Sequence, residues 1–237
     1  MPGRGPAESV AVWHLWGIGD ARTVRRMSGD VNPGAMYRGA RERIIELVSA
    51  SSVDVSMVVP ATPEWSVHDV VAHVAGVARD AVSGNMAGAP GDAWTAAQVA
   101  RAADLSIADL VAQWQLDGPF LDEVFAGAAD GLPAAGVMDV HTHEADLRQA
   151  LGASFEVPAD FLAWATQRLR GGFAEAVAAR GLPPVDVVAS DAEWFRGRFG
   201  RRTAGEVAAY RWSADPTPYL DTWFIFGRAP RPLGERT

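Results

Sequence analysis

From Gly34 to Ala50 the apolar residues Met36, Ala40, Ile44, Ile45 and Val48 recur at helical spacing, with Arg38, Arg41, Glu42 and Arg43 between them. This pattern predicts a first amphipathic helix. An extended stretch, Val58-Val59-Pro60, separates it from a second helix that opens at Ser66, where Ser66 and Asp69 have the spacing of an N-terminal capping box. That helix should run to about Val82, with Val67, Val70, Val71, Val74, Val77 and Ala78 as its apolar stripe. Beyond a loop at 84–91, Thr95 can cap a helix running through Ala103. Ser106 and Asp109 repeat the start signal for a helix through about Gln115, and Pro119 can begin a further turn or two through Phe125.

Pro133 closes the next loop, and a helix from about Ala135 to Leu151 ends at Gly152. Pro158 fits the first turn of another helix, with Phe161, Ala165, Leu169, Phe173 and Val177 on one side and Gly181 at its end. Val185 to Ala189 is the one short strand candidate. Thr203 with Glu206 then opens a helix through Trp212. The tryptophan- and proline-rich end is compatible with a segment packed on what precedes it. Residues 1–33 carry Pro and Gly without a sustained period, so a poorly ordered tail is expected there, and Met27 is an alternative start. The predicted layout is mainly α: a helical bundle over 34–152 and a C-terminal extension over 153–237.

Composition narrows the partners. Hydrophobic residues at 49% and charged residues at 21% fit a globular chain rather than a disordered one. The net charge of −8, without a basic stripe interleaved with aromatics, argues against nucleic acid. Val10 to Gly19 makes a poor signal peptide, and no apolar run reaches the ~18 residues needed to span a bilayer. A cytoplasmic location and no membrane partner are therefore expected, and a homodimer stays open. Zero cysteines remove disulfides, thiolate metal sites and a cysteine nucleophile, so any thiol chemistry must use a thiol from outside.

The chemistry concentrates in two segments, Thr62 to His73 and Met138 to Arg148. On a helix turning about 100° per residue, Asp139 and His143 lie about 40° apart, whereas His141 and His143 are about 160° apart. Asp139 and His143 can thus share a site, and His141 cannot join them. Asp146, one turn on, is a candidate to hold the imidazole of His143 or a bound water. His73 lies beside the valine stripe of its helix on a face shared with Asp69 and Asp80. One residue does not fit: Glu144 projects into the stripe of Val137, Val140, Leu147 and Leu151.

Two imidazoles and a carboxylate would leave a coordination position open, the pattern of catalytic zinc, and such a site can activate water or an incoming thiol. The alternative is bland: histidines beside a core are often hydrogen-bonded packing residues. His68 reads as solvated and His14 falls in the tail. Arg196, Arg198, Arg201 and Arg202 can bind an anion, but a solvated cluster is the simpler reading. The tryptophans read as core rather than as a ligand cage.

In Trp65-Ser-Val-His-Asp-Val-Val-Ala-His73, in the run Asp139 to Leu147 closed by Ala150-Leu151-Gly152, and more loosely in Gly200 to Val207 with Trp212, the chain resembles the actinobacterial mycothiol-dependent maleylpyruvate isomerase family, within the wider DinB and YfiT-like metal-binding bundles. The resemblance implies a DinB-like four-helix bundle with a short C-terminal α or α/β extension. It assigns a divalent metal, zinc the expected ion, to His73, Asp139 and His143, with mycothiol or another small thiol as external cofactor and a small electrophile as substrate. Family members commonly carry glutamate where this chain has Asp139. The implied function is a thiol-dependent isomerase or transferase. A metal-dependent hydrolase without thiol and a non-catalytic binding bundle are the alternatives.

Overall fold

The computed structural model describes residues 31–127, 133–154 and 156–234. Residues 1–30 of the predicted tail, with His14, lie outside them; its last residues are corrected, since Asn32 caps a helix that begins at Pro33. The described chain divides into two compact units, one ending in the 151–154 segment and one beginning at Glu156. Among the described residues, no helix is long and apolar enough to cross a membrane.

The first unit is built on helices α1 (Pro33–Val48), α2 (Val67–Ser83), α3 (Asp92–Ala102), α4 (Ile107–Gly127) and α5 (Pro133–Ala150). Helices α1 and α2 both pack against α4, α5 packs against α1 and α2, and α3 lies along α2. Four helices thus enclose one core, with α3 outside the ring. Part of its apolar filling comes from stripes foreseen in the sequence: every residue of the α2 stripe from Val67 to Ala78 is buried. In α1, by contrast, Tyr37 is buried and Met36 and Ile45 only partly, and Leu110, Trp114, Leu121 and Phe125 of α4 belong to no stripe foreseen. A two-stranded antiparallel hairpin, β1 (Val58–Val59) and β2 (Thr62–Ser66), leads straight into α2. Strand β1 packs on α5 and β2 on α2.

Capping chemistry sets the helix starts. Ser66 accepts from the Asp69 amide while Asp69 accepts from the Ser66 amide, and Ser106 and Asp109 exchange the same pair of bonds. Two expectations are corrected. Helix α3 begins at Asp92 with Gly91 before it and no side-chain cap, so Thr95 lies inside the helix. Helix α4 is continuous through Pro119. Pro119 is exposed, so water can satisfy the carbonyl left without its amide, and the burial of Trp114, Leu121 and Phe125 on the other face holds the helix together.

Arg41 was expected among the solvent-facing positions, yet it is buried and pairs with Asp122 at 2.7 Å. It lies over Gly118, where an added Cβ would stand 2.5 Å from Arg41 Cδ. The absence of a side chain at 118 is what makes room for the guanidinium stem.

The second unit holds α6 (Ala159–Ala179), β3 (Val187–Val188), α7 (Asp191–Arg198), α8 (Ala204–Ala208), β4 (Arg211–Trp212), a 3-10 turn at Thr217–Tyr219 and α9 (Leu220–Trp223). The predicted α6 stripe, Phe161 to Val177, is buried throughout. It meets an aromatic cluster in which Phe173 lies edge-on to Trp194, Trp212 and Trp223. Trp194 and Trp223 are core, as expected. Strands β3 and β4 pair antiparallel, with Val187 opposite Trp212. The helix foreseen from Thr203 to Trp212 is shorter: its capping box is present, but Arg211 and Trp212 turn into β4 because β3 offers a partner. Helix α7 was not foreseen at all.

Candidate metal centre

Helix α2 carries His73 and α5 carries Asp139 and His143, and the packing of α2 on α5 brings the three together. One ligand atom from each lies within 4.8 Å of the others. His73 Nε2 is 3.4 Å from Asp139 Oδ2, and His143 Nε2 is 3.6 Å from Asp139 Oδ1. Two donors each about 2.0–2.1 Å from a tetrahedral ion stand roughly 3.4 Å apart, so these separations suit a small divalent cation such as zinc. The aspartate needs no extra methylene to reach both imidazoles. The donor set fits the ion.

Each histidine has a different neighbour behind it. His73 Nδ1 is 2.8 Å from Gln98 Oε1 on α3. His143 Nδ1 is 3.4 Å from Asp146 Oδ2 without the alignment of a hydrogen bond, and it is buried with no other partner. Asp146, fully buried, therefore stands where the sequence reading put it, behind His143. The rings of His73 and His143 meet edge-on at 5.1 Å, and Trp65 of β2 lies against both, at 5.3 and 6.0 Å. Trp65 thus forms a wall of the site. The reading of the tryptophans as core is corrected for Trp65, which is half-buried against the two imidazoles.

Both imidazoles are buried, while Asp139 keeps 17% of its side-chain surface exposed. The carboxylate is the solvent-facing member. Burial alone would lower the pKa of His73, but the charge and hydrogen-bonding capacity of Asp139, helped by Gln98, outweigh it and raise the value above 6.5.

The other histidines lie elsewhere. His141 is buried and its Nδ1–H donates to Val137 O at 2.8 Å, one turn back along α5. His68 is not simply solvated: its Nε2 is 2.8 Å from Leu105 O, which ties the start of α2 to the α3–α4 loop. Glu144 projects into the stripe as the helical projection indicated, and the reason is now visible. It is fully buried and accepts from Nε and Nη2 of Arg43 on α1, each at 2.7 Å, and from Arg148 Nε at 3.2 Å. A helix projection cannot reveal a partner on another helix.

The arginine cluster of the second unit is also corrected. Arg196, Arg198, Arg201 and Arg202 are all buried. Arg202 forms a forked pair with Glu193, Arg201 donates to Phe199 O, and Arg198 donates to the carbonyls of Thr222 and Trp223. They knit α7 to the segments that follow it.

No curated protein and no solved structure gives a significant match to the chain. Residues 37–151 match the family model described as the mycothiol maleylpyruvate isomerase N-terminal domain, a span of just under half the chain that contains His73, Asp139 and His143. This segment, with the mainly helical bundle that it forms, is similar to the N-terminal domain of the mycothiol maleylpyruvate isomerase family.

Proposed function

We propose that the protein is a metal-dependent enzyme that uses an external small thiol of the mycothiol class to isomerise or transfer groups on a small electrophilic substrate. The observation that carries this reading is the convergence of His73, Asp139 and His143, two nitrogen donors and one oxygen donor, within 4.8 Å. Three protein ligands leave room for a further one, which is the catalytic arrangement for zinc. When bound, such an ion supplies the positive charge that lowers a thiol's pKa from ~8.5 and makes thiolate available at neutral pH.

The chain's own residues set the charge of that position. Two neutral imidazoles and one carboxylate offset only half of a divalent charge, which favours an anion beside them. Trp65 closes one side of the pair of imidazoles, and the partial exposure of Asp139 supports entry from the carboxylate side. With no cysteine in the chain, the sulfur must come from a free thiol, and the cytoplasm, where such thiols stay reduced, is the proposed setting.

In the isomerase form of the reaction, the thiolate sulfur adds to one carbon of an electron-poor double bond and the π electron pair moves onto the substrate's carbonyl. Rotation about the resulting single bond follows. Return of the electron pair expels the thiolate, so atoms and charge balance without an oxidant or a further reactant.

The test is turnover of maleylpyruvate and of model electrophiles by zinc-loaded protein, with and without mycothiol. Thiol-dependent turnover supports the proposal. Absence of both mycothiol binding and thiol-dependent turnover would sink it, and turnover undiminished without thiol would favour a hydrolase working through water.

A further inference from the structure

Helix α2 presents His73 and Asp80 toward α3, which answers with Gln98 and Arg101. Asp80 and Gln98 are both 98% buried. Arg101 Nη2 donates to both oxygens of Asp80, at 2.7 and 2.8 Å, and Asn85 Nδ2 donates to Oδ1 at 2.9 Å. Gln98 Nε2 donates to Asp80 Oδ2 at 3.0 Å, and Gln98 Oε1 faces His73 Nδ1 at 2.8 Å.

Each step of this chain constrains the next. A guanidinium can only donate, so both oxygens of Asp80 serve as acceptors. A carboxylate can only accept, so the amide of Gln98 must turn its nitrogen toward Asp80 and its oxygen toward His73. The amide oxygen can only accept, so the proton of the neutral imidazole must sit on Nδ1. The lone pair is thereby left on Nε2, the atom that faces Asp139 at 3.4 Å.

We infer that Gln98, oriented by Asp80 and Arg101, is a positioning residue that sets the tautomer and ring orientation of His73 and so presents Nε2 to the metal. The inference deepens the metal-centre reading, and only its consequence for the ion rests on that reading. Its claim about the imidazole stands on the protein alone. Gly76 belongs to the same device: one turn after His73, it lets α3 close on α2, and a Cβ there would stand 2.9 Å from Gln98 Cβ. His143 has no such neutral support, since its Nδ1 meets only the carboxylate of Asp146, at 3.4 Å.

Long-range proton–nitrogen NMR of the metal-free protein, at a pH where His73 is neutral, reads the tautomer directly. The wild type is expected to show His73 protonated on Nδ1. In Gln98→Leu the acceptor is gone, and His73 should shift toward the Nε2-protonated form. Gln98→Glu combined with Asp80→Asn, which exchanges acceptor and donor at their contact, restores an acceptor to His73 and should recover the Nδ1–H state. Titration with zinc alone should then show roughly 10–100-fold weaker binding in Gln98→Leu, at unchanged stoichiometry, with affinity returning toward wild type in the Asp80→Asn, Gln98→Glu double variant.

A wild-type His73 protonated on Nε2, or a tautomer and zinc affinity that are the same in Gln98→Leu as in the wild type, would overturn the inference. Should the tautomer respond as expected while no zinc binds to any variant, the metal-centre reading fails and the role of Gln98 stands.

Discussion

In the second unit, Arg202 gives its guanidinium edge to Glu193, and Tyr210 donates its hydroxyl to the same carboxylate at 2.5 Å. In the first unit, the two Nε2 atoms of His73 and His143 converge on Asp139 at 3.4 and 3.6 Å. Both are buried clusters of charged and polar groups, and they are built on opposite principles. Around Glu193 the donors outnumber the acceptors, and they aim at a carboxylate already present. Around Asp139 two imidazole nitrogens face one carboxylate, the arrangement that a cation between them would hold together. A buried cluster whose polar groups answer one another serves the fold. One whose acceptors point at a common centre is a candidate for binding.

Breaking each cluster should therefore have opposite consequences. The largest effect is expected from Glu193→Ala, which leaves the buried Arg202 and the Tyr210 hydroxyl without their acceptor. A loss of about 3 kcal/mol of stability follows, at the low end for breaking a buried pair because Glu193 is partly exposed. Denaturant unfolding with and without zinc would check it, and the loss should be the same in both.

The first unit should behave the other way. Zinc at a hundred times its dissociation constant stabilises a protein by about 2.7 kcal/mol if only the folded form binds it. Wild-type protein should show that gain in the same unfolding experiment, and His143→Ala should show none while losing little of its metal-free stability.

A smaller effect sharpens the comparison through pH. The folded-state pKa of His73 lies above 6.5 because Asp139 favours the imidazolium. Without metal, the stability His73 contributes is therefore fully present below about pH 6.5 and lost as pH rises through its raised value. A metal ion must displace that proton, so zinc affinity should fall by up to about tenfold for each pH unit below the raised value. Calorimetric titrations across this range would show the trend, and Asp139→Asn should abolish the upward shift of His73.

Much of this molecule was legible in its sequence, and the failures share a cause. The stripes of α2 and α6 were readable because every residue in them needs only an apolar surrounding, and the caps at Ser66, Ser106 and Thr203 because their partners lie three residues away. Asp139 and His143 were readable as a pair because a helix fixes their separation. What escaped depends on contacts distant in sequence. Glu144 looked misplaced, and Arg41 looked solvent-facing, until Arg43 and Asp122 came into view across the bundle. The arginines of α7 and the residues following it looked solvated because their acceptors are mostly backbone carbonyls and Glu193, which no side-chain pattern announces. Gln98 carried no signal at all, since an isolated glutamine in an amphipathic helix reads as surface.

The central claim is that His73, Asp139 and His143 hold one divalent ion. Elemental analysis of the purified protein beside His73→Ala and Asp139→Asn tests it most directly. The account predicts about one zinc or similar ion per wild-type chain and a large loss in both variants. Wild-type protein without stoichiometric metal after exposure to zinc, or variants that keep the full amount, would contradict it.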